Sequence, residues 1–233
     1  MPSESAQGHN LNGDLAVRVA VDTAAMHWAP SPSRTVWRKR VHLVGPVEAG
    51  QVTSVVRYAP RSTFHVHDHP DGEEILVLEG VFSDEHGDWP AGTYLLNPEG
   101  FRHTPFSREG CVLFVKLRQL PGRTREHVAI ATESVPWQAG ACAGTEVRPL
   151  YSQAGFTDTM RLERWSRGTR LGRIVYPQGA ELFVLEGALE DEVGRFGRHT
   201  WLRLPPGAAH APESSEGCVF FIKEGGFAYL VAG

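Results

Sequence analysis

Cysteine is scarce in this sequence: there are three residues, Cys111, Cys142 and Cys218, and no Cys-x-x-Cys. An odd, sparse set suits reduced thiols better than a disulfide framework. The missing Cys-x-x-Cys excludes a thiolate zinc finger and a thioredoxin-like redox pair. Also lacking is any apolar run approaching the ~18 residues of a membrane-spanning helix. Residues 1–14 hold no apolar signal core; they read as a short disordered lead-in, and a cytoplasmic location with no membrane partner is expected. Nor is there a basic arm: 23 Lys and Arg face 27 Asp and Glu, for a net charge of −4, which argues against a nucleic-acid partner. What is there is 233 residues with 41% hydrophobic content, enough for one large domain or two small ones with a core each.

The sequence repeats itself. Shifted by 107 positions, Pro70–Lys116 aligns without a gap to Pro177–Lys223, with about half the positions identical. The shared frame holds Val77-Leu78-Glu79-Gly80 against Val184-Leu185-Glu186-Gly187, and Asp84-Glu85 against Asp191-Glu192. It continues with Pro98, Gly100, His103 and Pro105 against Pro205, Gly207, His210 and Pro212, and closes with Gly110-Cys111-Val112 against Gly217-Cys218-Val219. Upstream, Trp28 is echoed by Trp137 at a spacing two residues longer. Such self-similarity marks a duplication. The expected domains are 15–120 and 121–233, joined near the turn-rich Leu120-Pro121-Gly122-Arg123, with room for terminal strands to exchange between them.

Inside a unit the pattern is β. Gln51–Tyr58 is rich in β-branched residues, and Ile75–Leu78, Thr93–Asn97 and Val112–Leu117 are short apolar runs bounded by Gly or Pro. Turn signals recur every eight to twelve residues and no long 3.6-residue period is present. The expected fold class is therefore all-β: two tandem jelly-roll barrels.

One stretch carries chemistry: Phe64-His65-Val66-His67-Asp68-His69-Pro70-Asp71-Gly72-Glu73-Glu74. In a regular strand His65, His67 and His69 would share one face. A lone strand histidine is more often a surface or core residue than a ligand, but three alternating ones with nearby carboxylates suit zinc, iron, manganese, nickel or copper. His103, after the turn Pro98-Glu99-Gly100, is the obvious further ligand.

The spacings His67-x-His69-x3-Glu73-x6-Gly80 and Gly92-x5-Pro98-x-Gly100-x2-His103 resemble the two cupin motifs. The sequence departs from them at Arg61, where the first motif begins with Gly, and at Ser107, where the second often ends in Asn. More narrowly, the His-x-His-Pro-x-Gly-Glu-Glu string with Leu-Val-Leu-Glu-Gly, Ser-Asp-Glu, Asn-Pro and Gly-Cys resembles the ChrR-type family, named for the cupin of an anti-sigma factor. The resemblance covers nearly all of the first unit and, more weakly, the second. It implies one divalent transition metal per chain on His67, His69, Glu73 and His103: zinc, as in the anti-sigma case, or iron, with manganese or nickel as alternatives.

Either Glu73 or Glu74 fits such a site, and the repeat discriminates between them. In the second copy His67 becomes Ile174, His69 becomes Tyr176 and Glu73 becomes Ala180, while Glu74 persists as Glu181. Ligands vanish as a set, so Glu73 is the expected ligand; Glu74 and Glu181 read as structural, hydrogen-bonded to a loop. The second unit is expected to hold no metal, with His210 a barrel or pocket residue, Cys111 and Cys218 buried core residues, and no role for His86, His127 or His199.

Two functions compete. One is a metal-binding protein that binds or senses a small molecule; the other is a metal-dependent dioxygenase cleaving a β-diketone or hydroxyketone. With no N-terminal helical domain and no His-x3-Cys-x2-Cys motif, direct sigma-factor inhibition is not expected. The two units are expected to pair within the chain, which leaves further homo-oligomerisation open.

Overall fold

The computed structural model describes residues 9–231 and Gly233. Its regular structure is nearly all β, with 54% of residues in strands and short 3-10 turns at Thr132–Ser134 and Phe227–Tyr229. Among the described residues no helix is long and apolar enough to cross a membrane. Most of the expected lead-in, residues 1–8, lies outside the described residues. Its end is ordered, because His9–Leu11 pairs antiparallel with Leu43–Gly45 and the Asn12 amide donates to the Val41 carbonyl at 2.7 Å.

The chain forms two compact units. The first gathers residues 27–134 with the described residues 9–13 and 229–231 and Gly233; the second gathers 135–228 with 14–26. In the first, one antiparallel sheet runs through His9–Leu11, Val36–Gly45, Gln51–Tyr58, Cys111–Leu117, Glu73–Asp84, Thr93–Asn97 and Val128–Ala131. In the second the same order reads Gln138–Ala139, Thr145–Ser152, Thr159–Trp165, Cys218–Glu224, Ala180–Asp191, Thr200–Leu204 and Val19–Asp22.

Alternation along these strands builds each interior. Val36, Val56, Ile75, Val77, Leu95 and Leu113 meet in the first core, and Leu182, Val184, Leu202, Phe220 and Ile222 in the second. Cys111 and Cys218 are buried members of these clusters, and burial pushes both thiols up to about 11. The two echoing tryptophans have equivalent surroundings as well. Lys39 and Arg57 lie over Trp28, and Arg148 and Arg164 over Trp137.

Backbone demands explain the shared glycines. Gly80 and Gly187 have φ of +71° and +64°, and a Cβ there would stand 2.1 and 1.9 Å from the carbonyl oxygens of Gly110 and Gly217. Only glycine permits that approach at the bulge where the long central strand meets its neighbour. Arg61, the departure from the first motif, itself sits at φ +62°, and its second-unit equivalent is Gly168 at +79°. Ser107, the other departure, donates to the Val81 carbonyl at 2.6 Å, as Ser214 does to Ala188.

Candidate metal centre

A two-residue strand, His67–Asp68, pairs antiparallel with Arg102–His103 and sets His67 opposite His103. The regular strand expected from His65 onward does not form: residues 64–66 are irregular, and the His65 side chain is exposed. His65 contributes through its backbone instead, accepting 2.8 Å from His67 Nδ1. Next in the chain, the His69 amide donates to the Phe101 carbonyl at 2.9 Å. Its own carbonyl accepts from Gly72 and Gly100 at 3.2 and 3.0 Å. These bonds hold His69 at the lip of a tight turn, where Asp71 and Gly72 both take positive φ.

The result is a cluster in which one ring nitrogen each of His67, His69 and His103 lies within 4.8 Å of the others. His69 Nε2 and His103 Nε2 stand 2.9 Å apart, and Glu73 Oε2 lies 3.3 Å from the former and 3.6 Å from the latter. Two donors at about 2.1 Å from one ion, 90–110° apart, stand roughly 3.0–3.4 Å from each other. The spacing therefore fits a shared cation, and three imidazoles that could bind a metal are gathered here.

The partners of the other atoms point the same way. His103 Nδ1 donates to Asp84 Oδ2 at 3.0 Å, and an acceptor-only carboxylate and carbonyl on the Nδ1 atoms of His103 and His67 leave Nε2 of both rings for the cluster. Asn97 Nδ2 donates to Glu73 Oε2 at 2.9 Å and fixes that carboxylate. Glu74 lies on the other face of its strand and accepts 2.7 Å from the Tyr94 hydroxyl. That hydrogen bond ties it to a neighbouring strand.

Burial lowers the His69 pKa, with Glu73 opposing and His103, His67 and Arg118 adding to the fall. Burial works in the same direction on His103, but the hydrogen bond to Asp84 and the charges of Glu73, Asp84 and Glu85 outweigh it and raise the pKa. Asp84, despite its own burial, is kept below the usual range by hydrogen bonds from His103, the His86 amide and Trp89.

Sequence reading missed Asp84 and Asn97 as site residues. Both had left a signal in the repeat. Asp84 recurs as Asp191, nineteen residues before the surviving His210, while Asn97 becomes Leu204 alongside the lost ligands.

The cluster opens on a cavity of ≈ 380 Å³ within the first unit. Its apolar lining includes Val36, Val56, Ile75, Phe82, Leu113 and Val115. Apart from the three histidines and Glu73, its polar lining is Arg38, Arg40 and Arg118 with Glu48, Asp68, Ser54 and the Tyr58 phenol. Tyr58 stays protonated, because burial and the nearby Glu73 push its pKa well above the ordinary value.

In the second unit the strand Ile174–Tyr176 pairs with Ala208–His210, so that Ile174 faces His210 as His67 faces His103. His210 Nδ1 keeps its carboxylate, Asp191, at 2.9 Å, and Asp191 also pairs with Arg18. His210 Nε2 has no hydrogen-bond partner. Among the described residues, the three-histidine cluster of the first unit is the only group of this kind.

Sequence models of known families identify the repeat. The model described as the ChrR cupin-like domain matches residues 16–121 and again 125–228. The chain belongs to the ChrR cupin-like family. No curated protein sequence matches significantly. Solved structures share the ChrR cupin-like chain's fold at low identity. A candidate dioxygenase from Nostoc punctiforme has a TM-score of 0.74 at 14% identity, over 93% of this chain and 86% of that one. A variant of oxalate decarboxylase from Bacillus subtilis gives 0.63 at 14%, over 96% and 79%. A cupin 2 conserved barrel domain protein from Leptotrichia buccalis gives 0.59 at 14%, over 93% and 99%.

Proposed function

We propose that the first ChrR cupin-like unit holds one divalent transition metal on His67, His69, His103 and Glu73, and that the protein binds or senses a small molecule in the cavity above it. The observation that carries this reading is the convergence of three imidazoles and a carboxylate on one point at the wall of a 380 Å³ cavity. That volume lies near the lower end of small-molecule sites, roughly 300–1,000 Å³. Nitrogen and carboxylate donors suit zinc or iron, and manganese or nickel as well. A bound ion would supply Lewis-acid polarisation of a ligand oxygen, and iron would add oxygen chemistry.

The protein's own groups have separate tasks. Asp84 and the His65 carbonyl orient His103 and His67, and Asn97 holds Glu73. The second reading, a dioxygenase cleaving a β-diketone or hydroxyketone, draws support from the opening of the cluster on the cavity and from the likeness to the Nostoc punctiforme protein.

Metal analysis of untagged protein, followed by oxygen-uptake assays with acetylacetone, tests both. Stoichiometric zinc without turnover supports binding or sensing, and iron with substrate-dependent oxygen uptake supports the dioxygenase. Protein that takes up no metal overturns both.

A further inference from the structure

The basic wall of the cavity has no part in holding a metal. Arg38 and Arg40 alternate with Val36 along Val36–Gly45, on the face that carries the core, so two guanidiniums project toward a barrel interior. Among the described residues their one acidic partner is Glu48, in the turn after that strand: its Oε2 accepts from Arg38 at 2.6 Å and its Oε1 from Arg40 at 3.0 Å. One half-exposed carboxylate thus serves two largely buried cations.

Arg118 adds a third. It stands at φ +61°, a region arginine rarely adopts, and its guanidinium has no hydrogen-bond or ion-pair partner among the described residues. The equivalent position in the second unit is Gly225 at φ +80°, the residue such a backbone favours. The same strand registers align Arg38 with Val147 and Arg40 with Pro149. All three guanidiniums disappear from the second copy, as do His67, His69 and Glu73.

We propose that the ligand of the first cavity carries a carboxylate, which Arg38, Arg40 and Arg118 bind while the rest of the molecule extends toward the histidine cluster. Glu48 marks the place: a carboxylate already bridges the Arg38–Arg40 pair, one oxygen to each, and an incoming carboxylate competes with it. With Glu73 taken up by the histidine cluster, three cations against Glu48 and the exposed Asp68 leave a net positive charge in a low-dielectric pocket, where a charge-assisted pair is strongest. This inference rests on the small-molecule reading of the cavity and names the chemical class of that ligand.

The test measures Kd on metal-loaded protein by calorimetry for pyruvate, acetoacetate and malonate, each beside its uncharged methyl ester. At least one acid should bind about tenfold or more tightly than its ester. Arg38→Gln and Arg40→Gln should erase that preference with metal stoichiometry unchanged. Arg118→Gln, which breaks no existing pair, should weaken it several-fold. Glu48→Ala should tighten acid binding, since it frees the two guanidiniums. Equal affinity of acid and ester for all three probes, no binding of any probe, or an unaltered preference in the arginine variants would overturn the proposal. So would inorganic phosphate that competes as well as the acids. A chain that takes up no metal would instead overturn the reading of the site itself, whereas metal uptake without acid preference overturns only the ligand class.

Discussion

The two barrels share a strand order, a bulge, a glycine contact and a His–Asp pair, yet their interiors differ in what fills them. In the first, arginines and histidines face an open cavity. In the second, the positions of Ser54, Val56 and Leu117 are taken by Arg161, Glu163 and Glu224. Arg161 bonds to Glu163 at 2.8 Å and to Glu224 at 3.1 Å, and Trp165 donates to Glu163 at 3.0 Å. Each of these charges is satisfied by another side chain of the same unit. Tyr176, buried against the core, takes the place of His69. Duplication therefore left one barrel with unspent binding capacity and one whose polar groups bind each other.

The sharpest way to break this comparison is to count metals. His67→Ala should reduce metal content from one per chain to none, while His210→Ala should leave it at one, as read by elemental analysis. Two metals in the parent chain, or retention after the His67 change, would erase the asymmetry. A reverse experiment sharpens it. Ile174→His, Tyr176→His and Ala180→Glu together should let His210, already oriented by Asp191, join a second site, raising stoichiometry toward two.

Smaller effects follow from the supporting groups. Asp84→Asn should weaken metal affinity about 10–100-fold through loss of His103 orientation, while Asp191→Asn leaves it unchanged. Weakest is the contrast in stability. Arg161→Gln strands two partly buried carboxylates and should cost roughly 1–3 kcal/mol in urea denaturation. Arg38→Gln should cost less than about 1 kcal/mol, its partner Glu48 being half exposed.

Much of this was legible in the sequence. Period-two alternation and turn residues gave the strands: Gln51–Tyr58 and Thr93–Asn97 run as expected. Ligand spacing together with the repeat picked out the three clustered histidines, whose roles are fixed by local turn geometry. His65 was misplaced because alternation holds only while a strand stays regular, and an irregular segment turns its ring outward. Asp84 was hidden because a carboxylate that orients a ligand has no spacing rule of its own; it reaches His103 only through the fold. The arginine wall was unreadable for a similar reason. Arg38 and Arg40 look like any surface alternation until the register shows that their face is the inner one.

One feature of the topology bears on how the molecule is made and taken apart. Val19–Asp22 closes the sheet of the second unit by pairing with Thr200–Leu204, while Val128–Ala131 does the same in the first. During synthesis the early strand must wait for a partner some 180 residues behind it, so the second barrel cannot close until almost the whole chain has emerged. Cleavage between residues 26 and 27 would sever an edge strand from each unit, His9–Leu11 from the first and Val19–Asp22 from the second, and leave both held by strand pairing alone. A fragment spanning only the second repeat would carry an open sheet edge, exposed to pairing with its own copies.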